Sequence, residues 1–122
     1  MKLKKAKIII KNIDEVKAEW KRAMKGEVKY IQKKNEIVFT SLEIVLKVLT
    51  KNRIEVMQSI AKNKPRSIYE LAKMMEKDFK SVHTDVKFLC DVGLIELEET
   101  ENARNVLKPI AKFSGIEFEW AA

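Results

Sequence analysis

Apolar positions along this chain recur at two spacings, and the changes between them mark out the elements. Ala6-Lys7-Ile8-Ile9-Ile10-Lys11 is short and β-branched, which predicts a strand. From Ile13 onward the apolar residues return every three or four positions (Ile13, Val16, Trp20, Met24), so they share one face of a helix. Asn12 or Asp14 caps that helix, which runs to about Lys25 and ends at Gly26. Val28 to Phe39 alternates weakly, with Val28 and Tyr30, then Ile37 and Phe39, around Lys33-Lys34-Asn35. It reads as a loose hairpin or as a linker with extended ends. Ser41 opens the next helix, with Leu42, Val45, Leu46 and Leu49 expected to face inward. Thr50 caps another that carries Ile54, Met57, Ile60 and Ala61. Pro65 stops it, because proline disfavours helix in the residue before it.

The stretch from Ser67 to Ile95 has the clearest grammar. Ser67 and Glu70 form an S-x-x-E capping box, and Ile68, Leu71, Ala72 and Met75 fall on one helical face. The pattern breaks at Glu76-Lys77, and Asp78 can cap a second helix from Phe79. There Phe79, Val82, Val86 and Leu89 recur at helical spacing, with Cys90 beside them on the inner side. Gly93 stands where a helix ending in the left-handed conformation needs no side chain. Two helices with a tight break between them are the pattern of a helix-turn-helix. Leu94 to Glu98 then alternates like a strand with one wet face, Thr100 to Ala103 turns, and Arg104 to Lys108 returns, with Pro109 expected to limit the pairing. After a turn at Ser114-Gly115, Ile116 to Trp120 alternates strictly, as a last strand with its apolar side packed.

Composition narrows the function. The 122 residues are 46% hydrophobic, enough for a core, and no apolar run approaches the ~18 residues of a membrane span. A chain whose one cysteine is Cys90 forms no internal disulfide, and a cytoplasmic protein is the natural reading. The net charge of +7 is unevenly spread. Residues 1–35 hold 12 basic and 4 acidic side chains, residues 36–92 hold 10 and 8, and residues 93–122 hold 3 and 6. That basic surplus fits a polyanionic partner, and equally the solvated lysine faces of proteins with none. Catalysis finds no foothold: His83 has no partner for a dyad, Cys90 no second ligand at metal spacing, and no phosphate-cradling glycine loop occurs. Neither a cofactor nor a metal is expected, and the chain reads as no enzyme.

Helices, a helix-turn-helix and a two-stranded ribbon follow one another in winged-helix order. The segment FTSLEIVLKVLTKNRIEVMQSI, then SIYELAKMMEKDFKSVHTDVKFLCDVGLIELE, resembles the small winged helix-turn-helix transcriptional regulators of bacteria and archaea, the broad MarR- and ArsR-like grouping. The Leu46–Arg53 run and S-V-H-x-D-V-K-x-L followed by G-L-I resemble a subset of short regulators, some thought to act as antitoxins. The match covers residues 39–98. It implies an α+β winged helix-turn-helix fold, and with the strand read at Ile116–Trp120 that domain spans 39–122. On residues 1–38 it is silent, and their strand and helix read as an extension and possible dimerisation element because they carry more apolar surface than such a pair can hide alone.

It further implies a homodimeric regulator that places the 79–92 helix in the major groove of double-stranded DNA. The candidate contacts are then Lys80 and Lys87 to phosphates or guanine edges, Ser81 and Thr84 to bases or a thymine methyl, and His83 to a phosphate. The N-terminus of the Ser67 helix and Arg104 at the wing tip join them. Relatives often carry arginine where Thr84 stands, which argues against strong guanine readout here. The wing departs from the pattern too, since Glu96, Glu98, Glu99 and Glu101 crowd it against Arg104 and Lys108. Two alternatives stand beside this reading: a solvated helix face that merely packs, and an antitoxin-like module that masks a toxin partner and regulates its own operon.

Overall fold

The computed structural model describes residues 3–26, 35–99 and 106–120. The elements, in chain order, are β1 (Ala6–Ile10), α1 (Ile13–Met24), β2 (Glu36–Phe39), α2 (Leu42–Val48), α3 (Lys51–Asn63), α4 (Ile68–Met75), α5 (Phe79–Asp91), β3 (Ile95–Glu99), β4 (Leu107–Ala111) and β5 (Ile116–Trp120). They form two units. The first joins Lys5–Val48 to Gly115–Ala122, and the second joins Leu49–Ser114 to Met1–Lys4.

The first unit is built on a three-stranded sheet in the order β2-β1-β5. Both neighbours run parallel to β1, with Ile8 opposite Ile37 on one side and Phe118 on the other. The unbroken Ile8-Ile9-Ile10 run suits a parallel strand covered on both faces, and Ile8 and Ile9, on opposite faces, are both buried. Ala6, Ile8 and Ile9 are buried. Asn12 caps α1, its side chain accepting from the Asp14 N–H at 2.8 Å. Val28 and Tyr30 lie outside the described residues, while Ile37 and Phe39 belong to β2.

Two expectations about this unit are corrected. Strand β5 does not have its apolar side packed: Phe118 is 53% exposed and Trp120 74%. Strand β1 pairs with β5 along its whole length, from Ala6–Ile116 to Ile10–Trp120, but a neighbour at the edge supplies hydrogen bonds and does not cover a face. In α2 the buried side is Val45 and Val48, followed by Leu49, whereas Leu42 and Leu46 stand exposed. The apolar positions of this seven-residue helix fit two stripes, and packing selected the one through Val48.

The second unit closes around Val56, Ile60, Ile68, Leu71, Val82, Val86, Leu89, Leu94 and Ile95, all buried. Local signals set its helix ends. The Thr50 hydroxyl accepts from the Arg53 N–H at 3.3 Å to start α3. Lys64 takes a left-handed conformation to end it, and Pro65 behind it is buried. Along α3 the buried stripe runs through Val56 and Ile60, so Ile54 and Ala61 are exposed, contrary to the expected face. At the end of α5, Gly93 has φ +87, and the Leu94 N–H donates to the Leu89 carbonyl at 2.9 Å, turning the chain into β3. Strands β3 and β4 pair antiparallel from Ile95–Ala111 to Glu99–Leu107. Pro109 does not limit this pairing. The register runs through it, with Pro109 opposite Leu97 and two further pairs on either side.

Candidate nucleic-acid interface

Helices α4 and α5 form the expected helix-turn-helix. The Ser67 hydroxyl caps α4 by accepting from the Glu70 N–H at 3.0 Å. The Glu70 carboxylate reaches back to the Arg66 N–H at 3.4 Å, one residue before the position a capping box prescribes. The turn is made by Glu76, in a left-handed conformation at φ 54, with the Lys77 N–H donating to the Ala72 carbonyl at 3.0 Å. Lys77 then ties the turn to α3 through Glu55 at 2.8 Å and Asn52 at 3.2 Å. Lys77, by its hydrogen bond first and its charge second, holds the Glu55 carboxyl below the usual carboxylate range.

Asp78 caps α5, accepting from the Ser81 N–H at 3.1 Å and the Ser81 hydroxyl at 3.3 Å. Val82, Val86 and Leu89 are buried, which leaves Lys80, Ser81, Thr84 and Lys87 exposed on the outer face. His83 and Ser67 are half-buried. The two short hydroxyls are partly committed. Thr84 Oγ1 donates to the Lys80 carbonyl at 2.9 Å, leaving its methyl and lone pairs outward, and Ser81 is held by the cap carboxylate. The candidates on α5 therefore share one face, with Ser67 at the N-terminus of α4. Arg104 and Asn102 lie outside the described residues, as do Glu101 and the turn beside it. Glu96, Glu98 and Glu99 are exposed on β3, with Lys108 opposite Glu98.

Three features of the site went beyond the sequence reading. Phe79, expected in the core, is 45% exposed and lies between the rings of Tyr69, at 6.2 Å, and His83, at 5.6 Å. As the first residue of α5 it projects past the helices that bury Val82. With Ser67, Ile68, Val106 and Leu107 these rings line a cleft of about 370 Å³. Second, Phe88 is half-buried beneath the Arg53 guanidinium, 3.8 Å above its ring centroid. Arg53 Nε also meets Asp85 at 3.3 Å, so α3 grips α5 by stacking and charge together. That pairing offsets the Asp85 carboxylate on the helix that exposes Lys80 and Lys87. Third, Cys90 is half-buried rather than buried. An aromatic at the second position of α4 and another at the first of α5 were the only trace of the Tyr69–Phe79 pair in the sequence.

Among the described residues, no group of three His, Cys, Asp or Glu side chains is placed to hold a metal ion, and no helix is long and apolar enough to cross a membrane.

A helix-turn-helix followed by an antiparallel ribbon defines the second unit as a winged helix-turn-helix domain, so the chain is an α+β winged-helix protein. The profile of the HVO_A0114 family matches residues 48–118, more than half of the chain, and the chain belongs to that family. No curated protein matches it. Among solved structures, it is similar at 16% identity and a TM-score of 0.46 to a MarR-like transcriptional regulator from Thermotoga maritima. The similarity covers 81% of this chain and 63% of that one, so this chain spans under two thirds of its neighbour's length.

Proposed function

We propose that this chain is a sequence-specific DNA-binding transcriptional regulator, acting as a homodimer with α5 in the major groove. One observation carries the reading: α5 is gripped by its buried stripe and by Arg53, yet keeps Lys80, Thr84 and Lys87 free on a single outward face. A helix of that width fits the major groove, where base pairs present distinct donors, acceptors and the thymine methyl. Lys80 and Lys87 neutralise phosphates, and the N-terminus of α4 at Ser67 adds backbone N–H donors. His83, braced by Phe79, donates from the edge of the same face, and Arg104 reaches the backbone from the wing. Thr84, its hydroxyl proton held within the helix, offers chiefly its methyl to a base. No observation favours a toxin partner.

The test is an electrophoretic mobility shift with the DNA upstream of the chain's own gene, against random duplex at equal salt. Specific retention supports the reading, and equal affinity for both contradicts it. Thr84→Ala should change preference among operator variants more than affinity for random DNA, because base contacts specify while phosphate contacts position. Equal losses on both DNAs would show that this face reads no bases.

A further inference from the structure

One large apolar side chain on α5 is left unused by the lysine and hydroxyl contacts above. Phe79 is the first residue of that helix and stays exposed, although Val82, three residues on, is buried. Its ring is held from two sides. The Tyr69 ring of α4 is tilted to it by 52°, and the His83 ring, one turn along α5, by 38°. Two such contacts restrict a side chain with only two free torsions, so the ring is presented in one place. Its surroundings are basic: Lys80 follows it in the chain, and Lys73 Nζ lies 4.8 Å from the Tyr69 ring centroid. The carboxylates on α4 and at the start of α5 are engaged, Glu70 with Arg66 at 3.9 Å and Asp78 with the Ser81 N–H and hydroxyl. On the wing side Glu99 is exposed opposite Leu107, which lines the cleft with Phe79, so a phosphate is repelled from that side of the ring.

We infer that Phe79 reads the C5-methyl group of a pyrimidine, on thymine or on 5-methylcytosine, and so sets a base preference of its own. This rests on the reading of α5 in the major groove and deepens it. The first residues of a recognition helix are those that reach base edges. The benzyl side chain has no polar group to hydrogen-bond a base edge, so it takes sequence information through apolar contact. The apolar group that the major groove offers, and that varies with sequence, is the pyrimidine methyl. The brace gives the contact its power to discriminate. A pyrimidine with hydrogen at C5 leaves a methyl-sized gap, and a ring held by Tyr69 and His83 cannot move in to fill it.

The upstream duplex, prepared in three forms, tests this with the full chain and with Phe79→Ala. One form is unmodified, one carries uracil in place of every thymine, and one carries 5-methylcytosine in place of every cytosine. For the natural chain, uracil should weaken binding, or 5-methylcytosine tighten it, by about fourfold for each methyl covered. Whichever change acts assigns the base that carries the methyl. Phe79→Ala should lower that ratio of affinities by the same factor, and Phe79→Leu, which keeps an apolar side chain, should retain more of it. A helix merely displaced by the substitution would bind all three duplexes more weakly and leave the ratio as it was. An unchanged ratio in Phe79→Ala, or a natural chain indifferent to both base changes, overturns the inference and leaves the α5 reading standing. A natural chain that holds upstream and random duplex equally contradicts the α5 reading itself, and this inference falls with it.

Discussion

The winged-helix unit and the β1-β2-β5 unit are similar in apolar content but unlike in how they use it. In the former, α3, α4, α5 and β3 bury a shared set of Ile, Leu and Val side chains, and its exposed large residues gather at the Tyr69–Phe79 pair and a few single sites. The latter buries the middle of β1 but leaves Trp20, Met24, Phe118 and Trp120 to solvent, and no residue of α1 is buried. The contrast separates a unit that buries its large apolar side chains from one that leaves several of its largest in solvent.

Mutations can break that comparison. Leu71→Ala and Leu89→Ala delete fully buried side chains and should destabilise the winged-helix unit by about 3 kcal/mol each. Trp120→Ala removes a side chain that is mostly exposed, and should cost the isolated protomer less than about 1 kcal/mol. Both tryptophans, Trp20 and Trp120, belong to the β1-β2-β5 unit, so fluorescence in urea follows that unit while circular dichroism weights the helices of the other. Equal costs at Leu71 and Trp120 would remove the contrast.

A second, smaller effect lies at the grip on α5. Arg53→Ala removes the Asp85 ion pair and the stack on Phe88, both partly shielded from water, and should cost about 2 kcal/mol. If the loss falls within a few tenths, the grip is decorative. Gly93→Ala meets no atom within 4 Å but must hold φ +87, and should cost about 1 kcal/mol by strain alone. Conversely, Glu76→Gly relieves the left-handed turn of the helix-turn-helix and should gain about 0.5 kcal/mol. The least of these effects is the pH dependence of Glu55. A carboxyl held below its usual range stabilises the fold above its unfolded value, and that support is lost as pH falls through the lowered one. Lys77→Met should flatten this acid limb of a thermal-melting series, and an unchanged limb would place the titration elsewhere.

What could be read in the sequence followed the range of the forces involved. The caps at Asn12, Thr50, Ser67 and Asp78, and the glycine turn at Gly93, act within a few residues, and each is where the local pattern puts it. The buried stripe of α5 was equally plain at Val82, Val86 and Leu89, because a helix with one apolar face has one way to sit, but it failed at Phe79, the first residue of the helix. The faces of α2 and α3 were not, since each carries enough apolar residues for two stripes and only tertiary packing chooses. The partners of β1 were hidden for another reason. Its register with β5 joins residues over a hundred positions apart, and no local signal distinguishes a strand that pairs there from one that returns as a hairpin. At the site, the lysines and short hydroxyls of α5 were readable from its wheel. Arg53, Asp85 and Phe88 come together only through the crossing of two helices, and so escaped notice.

The central claim is that the outer face of α5 meets DNA phosphates, and the salt dependence of binding tests it most directly. Affinity for upstream and random DNA is measured across a salt series by fluorescence anisotropy, for the natural chain and for Lys80→Ala with Lys87→Ala. Each phosphate contact releases about 0.9 of a counterion, so in a dimer losing four such contacts the slope of log affinity against log salt should fall by about 3.6 on both DNAs. A slope that stays the same in the double variant would contradict the claim and take these lysines out of the interface.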